Sequence, residues 1–96
     1  MLYWVMYDIS NDKNRRKVVK ACKDKGLSRV QKSIFLGTLN KNQKDELKIL
    51  IEMNMEDDKD SIYIFPSTRE FLYDTDLIGK GFCREMVLDE IVSKII

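Results

Sequence analysis

Ninety-six residues with a net charge of +1 are enough for one domain with a modest core, and the lack of any histidine removes the commonest general base. Cys22 and Cys83 are too few for a disulfide framework and too widely separated for a CxxC motif; this argues against structural zinc and makes a reducing cytoplasm the expected setting. Chemistry is left to carboxylates, hydroxyls, basic side chains or a hard metal bound through oxygen. The first stretch lacks a basic leader and is too short for a signal peptide or a membrane span, so no membrane partner is expected. Charge is unevenly spread: residues 1 to 32 carry nine Lys or Arg against three acids, and the remainder eight against thirteen. Such a split suggests a side that faces a polyanion and a side that does not.

The first element is the run from Leu2 to Ile9, apolar or aromatic throughout except for Asp8. A run of this kind predicts a strand covered on both faces, hence a central one. An acid at its end is costly unless something positive meets it. Two readings fit: Asp8 is delivered to the carboxyl-end rim of the sheet as a functional group, or it starts the following turn by bonding the amides of Asn11 or Asp12. Asn11 or Asp12 caps a helix that begins near Lys13 and stops at Gly26, the expected residue after the C-cap. Val18, Val19 and Cys22 give this helix a narrow apolar stripe, with Arg15, Arg16, Lys17, Lys20 and Lys23 around the rest. Its first turn sets backbone N–H groups, Arg15 and Arg16 near Asp8, an arrangement suited to a phosphate.

Arg29 to Leu39 alternates as strands do, and fits either one long strand or two short ones meeting near Ser33. Gly37 suggests a bulge or a close backbone approach. Asn40 caps a second helix with Leu47, Leu50, Ile51 and Met55 at core-facing spacing. The acidic stretch Glu56 to Asp60 reads as a loop; it lacks the glycine and the distal Glu of an EF-hand calcium loop. Ser61 to Pro66 is expected to be a third buried run, followed by a single helical turn in STREFL and a short strand ending at Gly79. Met86, Val87, Ile91, Val92, Ile95 and Ile96 recur at helical spacing in a tail apolar enough to be a strand, and such a tail is expected to dock on its own core or on a partner. The order of elements predicts a single α+β domain over residues 1–96, a ferredoxin-like sandwich with two helices on one face of an antiparallel-containing sheet and the first strand central.

Three segments, YDIS at Tyr7 to Ser10, NRRK at Asn14 to Lys17 and GLSRVQKSIFLG at Gly26 to Gly37, closely resemble the CRISPR-associated protein two family. The likeness is specific over roughly the first forty residues, and the tail from about residue 80 is variable in that family. It implies a two-fold homodimer of ferredoxin-like chains, the small partner of the CRISPR integrase subunit, with an endoribonuclease activity. The family's acid at the end of the first strand falls on Asp8, preceded by Tyr7. Its basic helix-start positions fall on Arg15 and on Arg16 or Lys17, its basic residue leading the second strand on Arg29, and its Ser-hydrophobe-Phe on Ser33, Ile34 and Phe35. The chain departs at Lys17, where a second arginine is more usual, and at Asn11, where many members carry an acid.

A two-fold axis near the end of the first strand would bring two copies of Asp8 together, and two close anions are comfortable only with a cation between them. Magnesium, or manganese in its place, suits a site with few protein ligands and mostly water. The resemblance thus implies a metal-dependent endonuclease acting on RNA or duplex DNA, with Asp8 as the metal ligand and catalytic residue. Tyr7, Arg15, Arg16, Lys17, Arg29, Ser33 and Phe35 would then contact nucleic acid. The alternative is a non-catalytic dimeric adaptor that bridges integrase dimers and supports the DNA to be inserted. An RNA-recognition-type module on the same fold is the weakest reading, because Phe35 alone matches its aromatic strands.

Overall fold

The structure is a computed structural model and describes residues 1–92. Strand β1 (Leu2–Asp8) lies inside a four-stranded antiparallel sheet, flanked by β3 (Ile34–Thr38) and β4 (Ser61–Ser67), with β2 (Ser28–Gln31) on the outer side of β3. Helices α1 (Asp12–Asp24) and α2 (Lys41–Glu52) connect β1 to β2 and β3 to β4. The result is the ferredoxin-like α+β topology expected from the order of elements. Alternation along β1 divides the core in two. Val5 and Tyr7 pack with Val18 and Cys22 of α1 and Leu47 and Ile51 of α2; Leu2 and Trp4 pack on the opposite face with Val30 and Leu36. The second face is closed by Leu72 of α3 (Arg69–Tyr73) and Val87 of α4 (Arg84–Val92). β1 is thus covered on both sides, which is why its sequence has no polar member until Asp8.

Local chemistry sets the helix ends. Asn11 caps α1 by accepting from the Asn14 N–H, and Asn40 caps α2 in a capping box with Gln43. At the far end of α1, Gly26 adopts a φ of +80°, its N–H donates to the Lys23 carbonyl, and the Leu27 N–H donates to the Cys22 carbonyl. This is the Schellman arrangement, and buried Leu27 seals it.

Of the two readings of Arg29 to Leu39, the structure has the two short strands, separated by a turn at Lys32 and Ser33 that turns the chain back on itself as a hairpin. Other expectations change. Ser61 to Pro66 is strand but not a buried run: β4 is the sheet edge, and Tyr63 and Phe65 are exposed on its second face. An edge is also where a strand tolerates Pro66. Leu50 points outward, since Leu47 and Ile51 already fill the inward face of α2. The segment ending at Gly79 forms no strand; it is an irregular connection between α3 and α4. The tail through Val92 is helical, while Ile95 and Ile96 lie outside the described residues.

Gly37 is a close approach rather than a bulge. A Cβ placed there would lie 2.7 Å from Leu27 Cδ2 and 3.2 Å from Leu27 Cα, so a side chain would push on the residue that seals α1. Gly37→Ala is expected to destabilise the fold by about 1–3 kcal/mol, the usual cost of overpacking a tight core, as a drop in urea midpoint with unchanged slope.

Candidate functional site

Asp8 ends β1, paired in register with Ser61 of β4, and is exposed. Its carboxylate has no hydrogen-bond or ion-pair partner among the described residues, and the cap of α1 is made by Asn11 instead. Of the two readings of Asp8, the local turn bond is therefore absent. A shallow groove beside it is lined by Tyr7, Asp8, Ile9, Arg15, Lys32 and Ser33. The fold thus brings the strand-end acid and the first turn of α1, neighbours in sequence, together with the distant β2–β3 turn.

Arg15 lies at the groove because its guanidinium Nη1 donates to the Ile9 carbonyl at 3.1 Å while Nη2 pairs with Asp12. This grip ties the start of α1 to the backbone just after Asp8. Arg16 and Lys17 are exposed on the outer side of α1, with no hydrogen bond or ion pair among the described residues, whereas Lys20 is paired with Asp24. Ser33 is half-buried; its N–H donates to Gln31 Oε1 and its carbonyl accepts from the Tyr7 N–H.

Two expected nucleic-acid contacts are corrected. Phe35 is fully buried and Tyr7 is 5 % exposed, with their rings stacked at 6.3 Å between centroids. Neither ring is free to take a base. The Tyr7 hydroxyl donates instead to the Lys32 carbonyl at 3.0 Å. Arg29 donates to the same oxygen from Nε at 3.1 Å and Nη2 at 2.6 Å, and lies over the Phe35 ring. Three donors on one carbonyl hold the β2–β3 turn in place, so Tyr7 and Arg29 shape the groove wall. Burial pushes the Tyr7 phenol above its ordinary value, opposed by the Arg29 charge, which keeps it a donor. Burial likewise pushes the Cys22 thiol up to about 12, so this side chain is core filler and no nucleophile.

Sequence reasoning missed Asp60, the last acid of the run read as a loop. Its side chain is buried and accepts from the Ser10 N–H at 3.1 Å, the Ser10 hydroxyl at 3.2 Å and the Glu56 N–H at 2.9 Å. Its position just before the apolar run of β4 was the available signal, because a residue there sits beside the end of the neighbouring strand. Among the described residues no group of three or more acids or cysteines could hold a metal ion. None of the helices there is long and apolar enough to cross a membrane.

A family model described as CRISPR associated protein Cas2 matches residues 1–72. The chain belongs to the Cas2 family. A CRISPR-associated endoribonuclease Cas2 of Archaeoglobus fulgidus is 42% identical over 66 residues, 69% of this chain and 70% of the relative. One from Korarchaeum cryptofilum is 34% identical over 77 residues, 80% of this chain and 83% of the relative. The crystal structure of Streptococcus pyogenes Cas2 at pH 6.5 superposes with a TM-score of 0.71 at 25% identity, covering 82% of this chain and 100% of that one. The matched segment contains β1, α1, the β2–β3 hairpin, α2 and β4, and hence every groove residue of this Cas2 chain.

The bonds from Glu56 and Ser10 hold the Asp60 carboxyl below its ordinary 3.8. A depressed native value means that the stabilisation is present above the unfolded value and is lost as pH falls through the native one. Wild type is therefore expected to exceed Asp60→Asn in stability at neutral pH, with the gap closing below pH 3.8, as read from urea midpoints across that range.

Proposed function

We propose that this chain acts as a two-fold dimer that hydrolyses phosphodiester bonds in RNA, and in duplex DNA as a second substrate, with Asp8 of each copy holding one magnesium or manganese ion. The observation that carries this reading is the exposed, unpartnered Asp8 carboxylate in a groove shared with Arg15. One hard, freely presented oxygen donor per chain fits a cation shared with a second copy and fits no cage within a single chain. Strand alternation sets Asp8 on the face of Leu2, Trp4 and Met6. On that face Met6 and Tyr63 are cross-strand partners, and Tyr63 and Phe65 are exposed, so an apolar strip runs up to the acid. A second copy seated on the strip would bring the two Asp8 side chains together.

A bound cation would supply charge neutralisation at the phosphate and a water more readily deprotonated than bulk water, which removes the need for a histidine. The rest falls to the chain. Arg15, already fixed by the Ile9 carbonyl, presents its remaining donor capacity to a phosphate oxygen. Ser33 and Lys32 form the opposite wall, held by Tyr7 and Arg29 through the Lys32 carbonyl. Arg16 and Lys17 neutralise phosphates flanking the cleaved one.

A specific observation supports a second role. The unpaired Arg16 and Lys17 on the outer side of α1 form a surface suited to tracking a duplex backbone without chemistry. On this reading the dimer is an adaptor that supports DNA for the CRISPR integrase subunit, and Asp8 is dispensable.

Asp8→Asn is expected to abolish metal-dependent cleavage of RNA and DNA in purified protein while leaving the dimer and its thermal stability intact. Undiminished cleavage by that variant would overturn the catalytic assignment. Arg16→Ala with Lys17→Ala should weaken DNA binding similarly across sequences and lower the slope of log K against log salt by about 1–2, as fluorescence anisotropy titrations would show.

A further inference from the structure

Among the described residues Asp60 and Ser67 are the buried polar side chains, and of the two only Asp60 is charged. Burying a carboxylate is costly unless its lone pairs are met, and here both oxygens are used: Oδ1 accepts the Ser10 N–H and hydroxyl, and Oδ2 accepts the Glu56 N–H. The far side of this grip is itself tethered. The Asp60 N–H donates to the Glu56 carbonyl at 2.8 Å, and the Lys59 N–H donates to the same carbonyl at 3.0 Å, so the α2–β4 connection is closed on itself before it reaches across.

What it reaches is the segment that carries the site. The ladder between β1 and β4 ends at Asp8 and Ser61, and Ser10 lies past that end, next to the α1 cap Asn11. Beyond Asp8 the chain would otherwise leave the sheet with no support from β4. We propose that Asp60 is a positioning residue: by gripping Ser10 from the β4 side while Arg15 grips the Ile9 carbonyl from the α1 side, it fixes the backbone from Asp8 to Asn11. It thereby sets the aim of the Asp8 carboxylate and of the first turn of α1. Asp60 touches no substrate; its effect on cleavage passes through Asp8 and so rests on the function proposed above.

The test uses the full chain with Asp60→Ala, Asp60→Asn, Ser10→Ala and Asp8→Asn. Cleavage of a labelled single-stranded RNA in magnesium is measured for each variant well below its own Tm, alongside amide exchange at Ser10. Asp60→Ala is expected to lower kcat about 10–100-fold with KM little changed, the range that small misplacement of a reacting group costs. Asp60→Asn, which keeps an oxygen for Ser10, should recover much of the rate, and Ser10→Ala, which keeps the backbone bonds, should lose less than Asp60→Ala. Exchange at Ser10 should accelerate in Asp60→Ala and stay slow in Asp60→Asn. Wild-type kcat in folded Asp60→Ala would overturn the proposal, as would equal losses in Asp60→Ala and Asp60→Asn that merely follow Tm. If Asp60→Ala does not fold, Ser10→Ala decides by the same readouts: a lowered kcat at unchanged KM supports the grip, and wild-type kcat overturns it. Wild-type cleavage by Asp8→Asn would instead overturn the function proposed above. The exchange rates would then decide the grip on Ser10, with unaltered exchange in Asp60→Ala overturning it.

Discussion

The structure depends on β1 being dry on both faces. A strand in that position gains about 1.5–3 kcal/mol for each large apolar side chain that it buries, and it can admit no polar group until it reaches the rim. Leu2, Trp4, Val5 and Tyr7 are buried, Tyr3 and Met6 are partly so, and Asp8 is the first residue of the strand that is exposed. The carboxylate is therefore placed by the same burial that stabilises the sheet. Moving the register by one residue would drive Asp8 toward the helices and Val5 and Tyr7 out of the cluster that they form with α1 and α2, so the position of the acid is as firmly specified as the core itself.

Around that rim the backbone is held by polar side chains from neighbouring elements. The Lys32 carbonyl collects Tyr7 and Arg29 on one side; on the other, the Ile9 carbonyl takes Arg15 and the Ser10 N–H meets Asp60. Each bond joins a loop to a neighbouring element, so loops that would be mobile alone form fixed walls. Residues that a motif groups as basic thus divide by geometry. Arg29 and Arg15 each commit part of the guanidinium to a nearby backbone carbonyl, and Arg16 and Lys17 have no hydrogen bond or ion pair among the described residues.

The legible parts of the sequence were those governed by short-range rules. An unbroken apolar run with a lone acid identified the central strand, Asn11 or Asp12 and Asn40 marked helix starts, and Gly26 marked an end, because each rule acts within a few residues. What was not legible depends on partners distant in the chain. Tyr63 and Phe65 look like core residues until the topology makes β4 an edge. Leu50 has the spacing of an inward residue, but a helix that meets the sheet along a narrow seam has no room for it. Tyr7 and Phe35 sit within the recognisable motif, yet the motif does not say that they pack on each other beneath the surface. Asp60 was hidden in a run of acids whose other members face water, and only the antiparallel pairing of β1 with β4 brings it to Ser10.

The second face of the sheet links the fold to the proposed pairing. Leu72 and Val87 cover the half that contains Leu2, Trp4, Val30 and Leu36, and leave Tyr63 and Phe65 of β4 open. A second copy that needs an apolar seat on this face is therefore directed to the β1–β4 half, beside the end of β1. Stable interfaces bury about 1,200–2,000 Å² in total, more than this strip alone supplies, so the surrounding rim must take part as well. In the proposed pairing, two carboxylates brought into that rim would repel unless a cation lay between them, which would couple pairing to metal binding. A single chain has no comparable reason to hold the ion, since its only freely presented acid at the groove is Asp8.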